Sequence, residues 1–452
     1  MNADLDRSFG GFVARVREAG GLVVQPRMGM SNPREMRAGL LATRRAKAIT
    51  AGTITLDSYT RIGDDAKARA ALETAAELNG YPIAAHPTAT TRAVLEGIAG
   101  VDFPVQVRHG SPCPRHIIKA LMDAGLHATE GGPVSYCLPY SRTPLEESVR
   151  NWGRGCEALA ELRGTGVEPH LETFGGCMLG QLCPPGLLVA MSVLECLFFR
   201  QHGVRSVSLS YAQQTDPAQD REAITALRRL AAERLADIDY HVVVYAYMGV
   251  YPRTAAGAGA LLAEAAWLTV RSGASRLIVK TAAEAHRIPT VADNVLALEL
   301  AASAAAVAAA TAAGAERGAQ DPAPVEDTGI YAEARTLIEA VLDLGPDLGR
   351  ALARAFRSGY LDVPFCLHPD NAGRSRSRIG PDGRLYWSGV GSMPIARDAT
   401  AAGAAELTAA ELLASLSHTA RKFDALALEG YPAAPAPDAG RPLRELKGAK
   451  QR

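Results

Sequence analysis

From Leu22 to Lys280 short apolar runs alternate with longer stretches in which apolar residues recur every three to four positions. A short run rich in β-branched side chains reads as a strand buried on both faces, and the longer periodic stretches read as amphipathic helices. Candidate strands end at Arg27, Thr60, His86, Arg108, Glu130, Phe174, Tyr211, Tyr247 and Lys280. Helical patterns fill the gaps, among them Thr91 to Ile98, Leu145 to Leu162, Leu187 to His202, Asp220 to Leu235 and Ala255 to Ser272. A crossover helix on each connection forces parallel pairing, and a chain of this length can close such a sheet around a buried core. The pattern therefore predicts an α/β protein built on a (β/α)8 TIM barrel, with one of the nine candidate strands an accessory strand or a loop.

After Lys280 the pattern changes. Asn294 to Gly318 is a nearly pure alanine helix, and Ala319 to Asp327, with Pro322 and Pro324, reads as a linker. A helical stretch from Tyr331 to Ser358 is followed by turns at Asp362-Val-Pro-Phe365 and Asn371-Ala-Gly-Arg374. The expected organisation is a barrel over 1–318, a small C-terminal α+β domain over 327–430, and a flexible tail over 431–452.

Composition narrows the function. The chain of 452 residues carries 48 basic and 48 acidic side chains and has no long Lys/Arg-rich run, which removes the electrostatic footprint of a nucleic-acid binder. The alanine-rich run from Ala301 to Ala313 reads as too weakly hydrophobic for a membrane span, and no charged segment with a following apolar stretch opens the chain. A cytoplasmic protein with a small-molecule ligand is expected. Seven cysteines without zinc-ligand spacing read as reduced thiols in the core, and no metal site is expected.

Three of the apolar runs carry an arginine at or near their end: Leu22-Val-Val-Gln-Pro-Arg27, Ile54-Thr-Leu-Asp-Ser-Tyr-Thr-Arg61 and Phe103-Pro-Val-Gln-Val-Arg108. The carboxyl ends of barrel strands form the active-site rim, and guanidinium forks bind carboxylates in a bidentate way. Three converging forks would suit a substrate with two carboxylates; the alternative is that each pairs with a local acid. Thr129-Glu130-Gly-Gly-Pro-Val-Ser-Tyr136-Cys-Leu-Pro-Tyr140 puts an acid at a strand end, then two glycines that let backbone approach a ligand, then two tyrosines. Glu130 could accept from a substrate ammonium and act at the reacting centre, or serve as an arginine's ion-pair partner. Pro169-His-Leu-Glu172-Thr-Phe174 adds a further acid and ring, and Lys280 with Glu284 could either hold sugar hydroxyls or form a salt bridge at a helix start. The chain has no Gly-x-Gly-x-x-Gly after a strand, no P-loop and no Asp-x-His-x-x-Gly.

Taken in order, Gln25-Pro-Arg27, Leu56-Asp-Ser-Tyr-Thr-Arg61, Leu78-Asn-Gly-Tyr-Pro82, Gln106-Val-Arg-His-Gly110, Glu130-Gly-Gly-Pro-Val-Ser-Tyr136 and Val279-Lys-Thr-Ala-Ala-Glu284 resemble the large (epsilon) subunit of glutamate mutase, the methylaspartate mutase family. The resemblance runs from about Gly20 to just beyond Arg374. It implies a barrel that holds L-glutamate and the deoxyadenosyl half of adenosylcobalamin, while a separate small sigma subunit binds the corrin, and a homodimer of the large chain within a heterotetramer. The absent Asp-x-His-x-x-Gly fits that division. By the same resemblance Arg27, Arg61 and Arg108 hold the two carboxylates and Glu130 meets the ammonium. Tyr136, Tyr140, Glu172 and Phe174 line the substrate pocket, and Asn79, Lys280 and Glu284 contact the coenzyme. The implied reaction is a radical rearrangement of L-glutamate to L-threo-3-methylaspartate. Where the family has histidine, glutamine and tryptophan, this chain has Tyr245, Ala246 and Tyr247, and Pro133 stands for a family glycine. Other readings are a subunit acting on a related amino dicarboxylate, a non-catalytic binding partner, and a cofactor-free lyase or aldolase using Lys280 as a Schiff base.

Overall fold

The computed structural model describes residues 8–74, 78–178, 182–317, 325–396 and 408–429. Residues 319–324 of the expected linker and the whole of the expected tail lie outside them. Eight parallel strands form one sheet: β1 (Val23–Gln25), β2 (Gly52–Thr55), β3 (Val105–Arg108), β4 (Ala128–Glu130), β5 (His170–Glu172), β6 (Ser206–Ala212), β7 (Asp239–Tyr245) and β8 (Arg276–Ile278). Neighbours in sequence are neighbours in space, and β8 pairs with β1. A parallel bridge from Val24 to Thr50, with Val24 N–H donating to Ile49 O at 2.9 Å, closes the ring toward β2. This is the TIM-barrel arrangement that the alternating pattern predicts.

The strands are shorter than the apolar runs that announce them. β1 stops two residues before Arg27, and β2 stops at Thr55, so Arg61 lies beyond the strand in a short helix, Ser58–Ile62. Asp57 starts that helix early by accepting from the N–H groups of Tyr59 and Thr60 at 2.9 and 3.1 Å. The candidate strand ending at His86 is a loop, touching the sheet through one bridge between Leu56 and Tyr81. Of the nine candidates it is the superfluous one.

Inside the barrel the usual aliphatic layers give way to polar side chains. In β3 and β5 every second residue is polar, giving Gln106 and Arg108, His170 and Glu172, and in β7 the same face carries His241 and Tyr245 with Val243 between them. Because strand side chains alternate in direction, these residues share the inner face. They bond across the axis: Gln25 Nε2 donates to Thr53 Oγ1 and Gln106 Oε1, each at 2.9 Å. Arg276 Nη1 donates to Gln25 Oε1 at 2.5 Å, and Arg276 also binds Glu172. Lower down, His170 and His241 stack at 5.1 Å, and Phe9 from helix Phe9–Glu18 stacks on His170 at 5.1 Å beneath the strands' amino ends.

The segment after residue 325 adds helices Ile330–Leu342 and Leu348–Ser358, then an antiparallel pair, β9 (Ser375–Ile379) and β10 (Leu385–Val390). Leu337, Ile338, Val341, Leu352 and Phe356 belong to the same apolar cluster as barrel helix Pro185–Gln201. The long helix Val291–Arg317 contains a 22-residue apolar stretch of mean hydropathy 1.8, long and apolar enough by composition to cross a membrane. The shorter run weighed from the sequence understates it. Leu298, Ala301, Ala304, Ala305 and Ala308 form its buried side, and it packs against barrel helix Ala255–Arg271.

Candidate active site

Arg108, the last residue of β3, is 3% exposed, and Glu130, the last of β4, is 1% exposed. Arg108 Nη2 lies 2.7 Å from Glu130 Oε2. Arg108 Nη1 donates to Tyr245 Oη at 2.9 Å and lies 3.7 Å from Glu172 Oε1. Tyr136 donates to Glu130 Oε1, and Tyr245 Oη lies 2.9 Å from Glu130 Oε2 and contacts Glu172 Oε1. Phe174 edges onto the Tyr245 ring at 5.5 Å and packs beside Tyr136 at 5.0 Å. Two arginines, Arg108 and Arg276, thus face two glutamates, Glu130 and Glu172, in a charge-balanced cluster closed from water.

Burial sets the acid chemistry. It pushes the Glu130 carboxyl above its ordinary range, which Arg108 opposes and the Glu172 charge reinforces. Burial also acts on Glu172, but Arg276 and Arg108 outweigh it and hold that carboxyl below its ordinary range. Of the two acids Glu130 is therefore the one that takes up a proton first. His109 is pushed down to about 3, mainly by burial, and stays neutral, stacked on Trp152 at 5.7 Å.

Arg27 belongs to a second group. Its Nη1 lies 3.6 Å from Glu284 Oε2, and Lys280 Nζ lies 3.2 Å from the same oxygen. Glu284 Oε1 accepts from Thr281 N–H at 3.3 Å, closing a capping box at the start of the helical turn Ala282–Ala285. The salt bridge at a helix start is thus present, and it sits beyond the end of β8. Lys280 also lies 4.6 Å from the centre of the Tyr251 ring. Arg61 forms a third place: its aliphatic stem passes beside Gly110, and it makes no ion pair among the described residues. Asn79 is exposed, and its Oδ1 accepts from Ser58 N–H at 3.1 Å, at the head of the helix bearing Arg61. The structure joins Arg108, Glu130, Glu172, Tyr136, Tyr140 and Phe174 in direct contact, and joins Arg27 to Lys280 and Glu284. Among the described residues, no hydrogen bond or ion pair joins Arg61 or Asn79 to either group.

An open cavity of about 900 Å³ lies over the rim, lined by Tyr140, Met248, Phe365, His368 and Leu416 among others. Arg27 Nη1 reaches Met248 Sδ at 3.8 Å, so Arg27 adjoins it. Tyr140, half exposed, stands between this cavity and Tyr136, ring to ring at 5.9 Å. The loop carrying Tyr140 is tied to the C-terminal segment: Arg142 binds Leu367 O, Asp370 Oδ2 accepts from Leu145 N–H at 2.7 Å, and His368 Nε2 lies 3.0 Å from Thr143 O.

The glycines after Glu130 have a different job from the expected one. Gly131 has φ of 125°, and a Cβ there would collide with the Tyr136 ring and with Trp152; one on Gly132 would collide with the Glu195 carboxylate. They admit the protein's own side chains. Glu195 accepts from Val134 and Ser135 N–H at 3.1 and 2.9 Å, which holds the loop, and burial pushes its carboxyl up to about 7. A folded-state value above the unfolded one means stability is lost as pH rises from about 4.5 to about 7. Glu195→Gln is therefore expected to lose less stability than the parent between pH about 5 and about 8. Thermal melts at both ends measure this, and parallel losses would place the burden elsewhere.

The residues that sequence reasoning missed are Tyr245, noted only as a departure, together with Arg276, Gln25 and Gln106. The period-two polar positions in β3 and β5 are the signal that could have found Gln106.

The model of the methylaspartate mutase E chain matches residues 5–411. The glutamate mutase epsilon subunit of Escherichia coli O157:H7 is 30% identical over 356 residues, 76% of this chain and 72% of that one. The epsilon subunit of Halobacterium salinarum is 33% identical over 342 residues, 73% and 69%. Among solved structures a putative phosphonomutase from Burkholderia cenocepacia J2315 matches at TM-score 0.33 and 14% identity over 60% of this chain and 91% of its own, which bears on no functional argument. By the family match and by these relatives, the chain belongs to the methylaspartate mutase E chain family.

Proposed function

We propose that the chain is the catalytic subunit of an adenosylcobalamin-dependent glutamate mutase, an isomerase that interconverts L-glutamate and L-threo-3-methylaspartate with a small corrin-binding sigma subunit. The observation that carries this reading is the buried Arg108–Glu130 pair at the barrel's carboxyl end. It offers a fork for a carboxylate beside an acceptor for an ammonium, the two charges of an α-amino acid. Arg61, without an acidic partner among the described residues, and Arg27, 32% exposed, are the cations left for a second carboxylate.

Lys280 and Glu284 suit the ribose of the coenzyme. Both sit at the rim, Glu284 is 18% exposed, and the ammonium has donors beyond the one facing Glu284. When bound, adenosylcobalamin supplies a carbon radical through homolysis of its cobalt–carbon bond. The protein's own residues position and seclude. Arg108 fixes one carboxylate end, Glu130 accepts from the ammonium, and Tyr136 and Phe174 exclude water from the buried cluster. No acid–base step is asked of Lys280, whose ammonium is held by Glu284 and Tyr251. A related amino dicarboxylate is the second reading, favoured by Tyr245 standing inside the charged cluster.

The test is to combine the purified chain with a cognate corrin-binding subunit, adenosylcobalamin and L-glutamate, and to follow the reaction by proton NMR. A methyl doublet of 3-methylaspartate is expected. Its absence from an assembled complex would overturn L-glutamate as the substrate.

A further inference from the structure

Tyr245 is the hub of the buried cluster. Its hydroxyl accepts from Arg108 Nη1 at 2.9 Å, sits 2.9 Å from Glu130 Oε2 and touches Glu172 Oε1. One hydroxyl proton can serve only one of the two carboxylates at a time. Glu172 is already matched by Arg276, by Ser208 Oγ at 3.0 Å and by Gln106 Nε2 at 3.4 Å. Among the described residues Glu130 has no second arginine, so the tyrosine proton matters most there. The ring is held in place by Phe174 at 5.5 Å and by the Arg108 guanidinium 5.0 Å from its centre.

An ionised carboxylate offers about four acceptor directions. On Glu130, Oε2 uses its two for Arg108 and Tyr245, and Oε1 uses one for Tyr136. A single direction on Oε1 remains. We propose that Tyr245 is a positioning residue that locks the Glu130 carboxylate with this one acceptor free for a substrate ammonium, so that the pocket selects an amino dicarboxylate over the same acid lacking the amine. The inference rests on the reading of the pocket as an amino-dicarboxylate site and deepens it by naming what sets the choice of amine.

The groups facing Glu130 are Arg108 from β3, Glu172 from β5, Tyr136 from the loop after β4 and Tyr245 from β7. Tyr245 lowers the Glu130 carboxyl from where burial puts it. Without the hydroxyl, Glu130 takes up its proton at higher pH, and a protonated carboxyl accepts poorly from an ammonium.

The experiment is calorimetric titration of the full chain with L-glutamate and with glutarate, its desamino counterpart, from pH about 5 to about 8. The parent is expected to prefer L-glutamate. Tyr245→Phe is expected to weaken L-glutamate about tenfold and glutarate little, and to move the acid-side loss of L-glutamate affinity to higher pH. Replacing Tyr245 by 3-fluorotyrosine, an isosteric and better donor, is expected to move that loss to lower pH, and it keeps the test alive should Tyr245→Phe fold poorly. Equal weakening of both ligands with an unmoved pH profile would overturn the positioning role while leaving the functional reading intact. A parent chain that does not bind L-glutamate would overturn the functional reading and this role with it.

Discussion

Arg108→Lys is expected to lower kcat/KM by about a hundredfold or more while the protein stays folded. Arg108 spends one nitrogen on Glu130 and another on Tyr245, and its planar fork keeps both in a fixed geometry. A lysine brings the same charge as a single point. It cannot serve Glu130 and Tyr245 and also offer two parallel donors to a substrate carboxylate. Each hydrogen bond to a charged group is worth about 1.5–3 kcal/mol, so losing one or two accounts for an effect of this size. Because the positive charge remains between Glu130 and Glu172, melting is expected to shift only modestly. Initial rates on the assembled enzyme, paired with melting curves, decide it, and a variant at parental activity would remove Arg108 from the substrate site.

Arg276→Met is expected to cost about 3–5 kcal/mol of stability, the usual penalty for stranding a buried charge. Arg276 is wholly buried and donates to Glu172, to Gln25 Oε1, to Ser208 Oγ at 3.1 Å and, at 3.3 Å, to His241 Nε2. Methionine fills much of the volume and leaves those acceptors without their donor. Adding Glu172→Gln should restore part of the loss, since the stranded charge then disappears, and the four-way cycle measures the coupling directly. Denaturant unfolding gives the numbers. A loss under about 1 kcal/mol for the single variant would mean that the barrel axis tolerates an unmatched Glu172, against the present account.

The barrel was legible because its cause is local. Apolar runs such as Val242 to Val244 must be buried, and the helices between them leave parallel closure as the way to do it. Arg108 and Glu130 were legible for the same reason, being the terminal residues of recognisable strands. Arg61 was misplaced because Asp57, one residue after Leu56, caps a short helix there and ends the extended run before Arg61. Gly131 and Gly132 read as ligand-contacting because their need for space is visible in sequence and the occupants of that space, Tyr136, Trp152 and Glu195, are not. Tyr245 and Arg276 were missed because their partners lie 115 and 104 residues away, and nothing in a linear chain sets a tyrosine on β7 against a glutamate on β4.

Helix Phe9–Glu18 lies under the amino ends of the strands, with Phe9 set against His170 and with the Arg276 guanidinium 4.9 Å from the centre of its ring. A tube stoppered at its base is a blind alley. On the proposed reading, a ligand bound at Glu130 would come and go across the rim, past Tyr140, rather than along the axis.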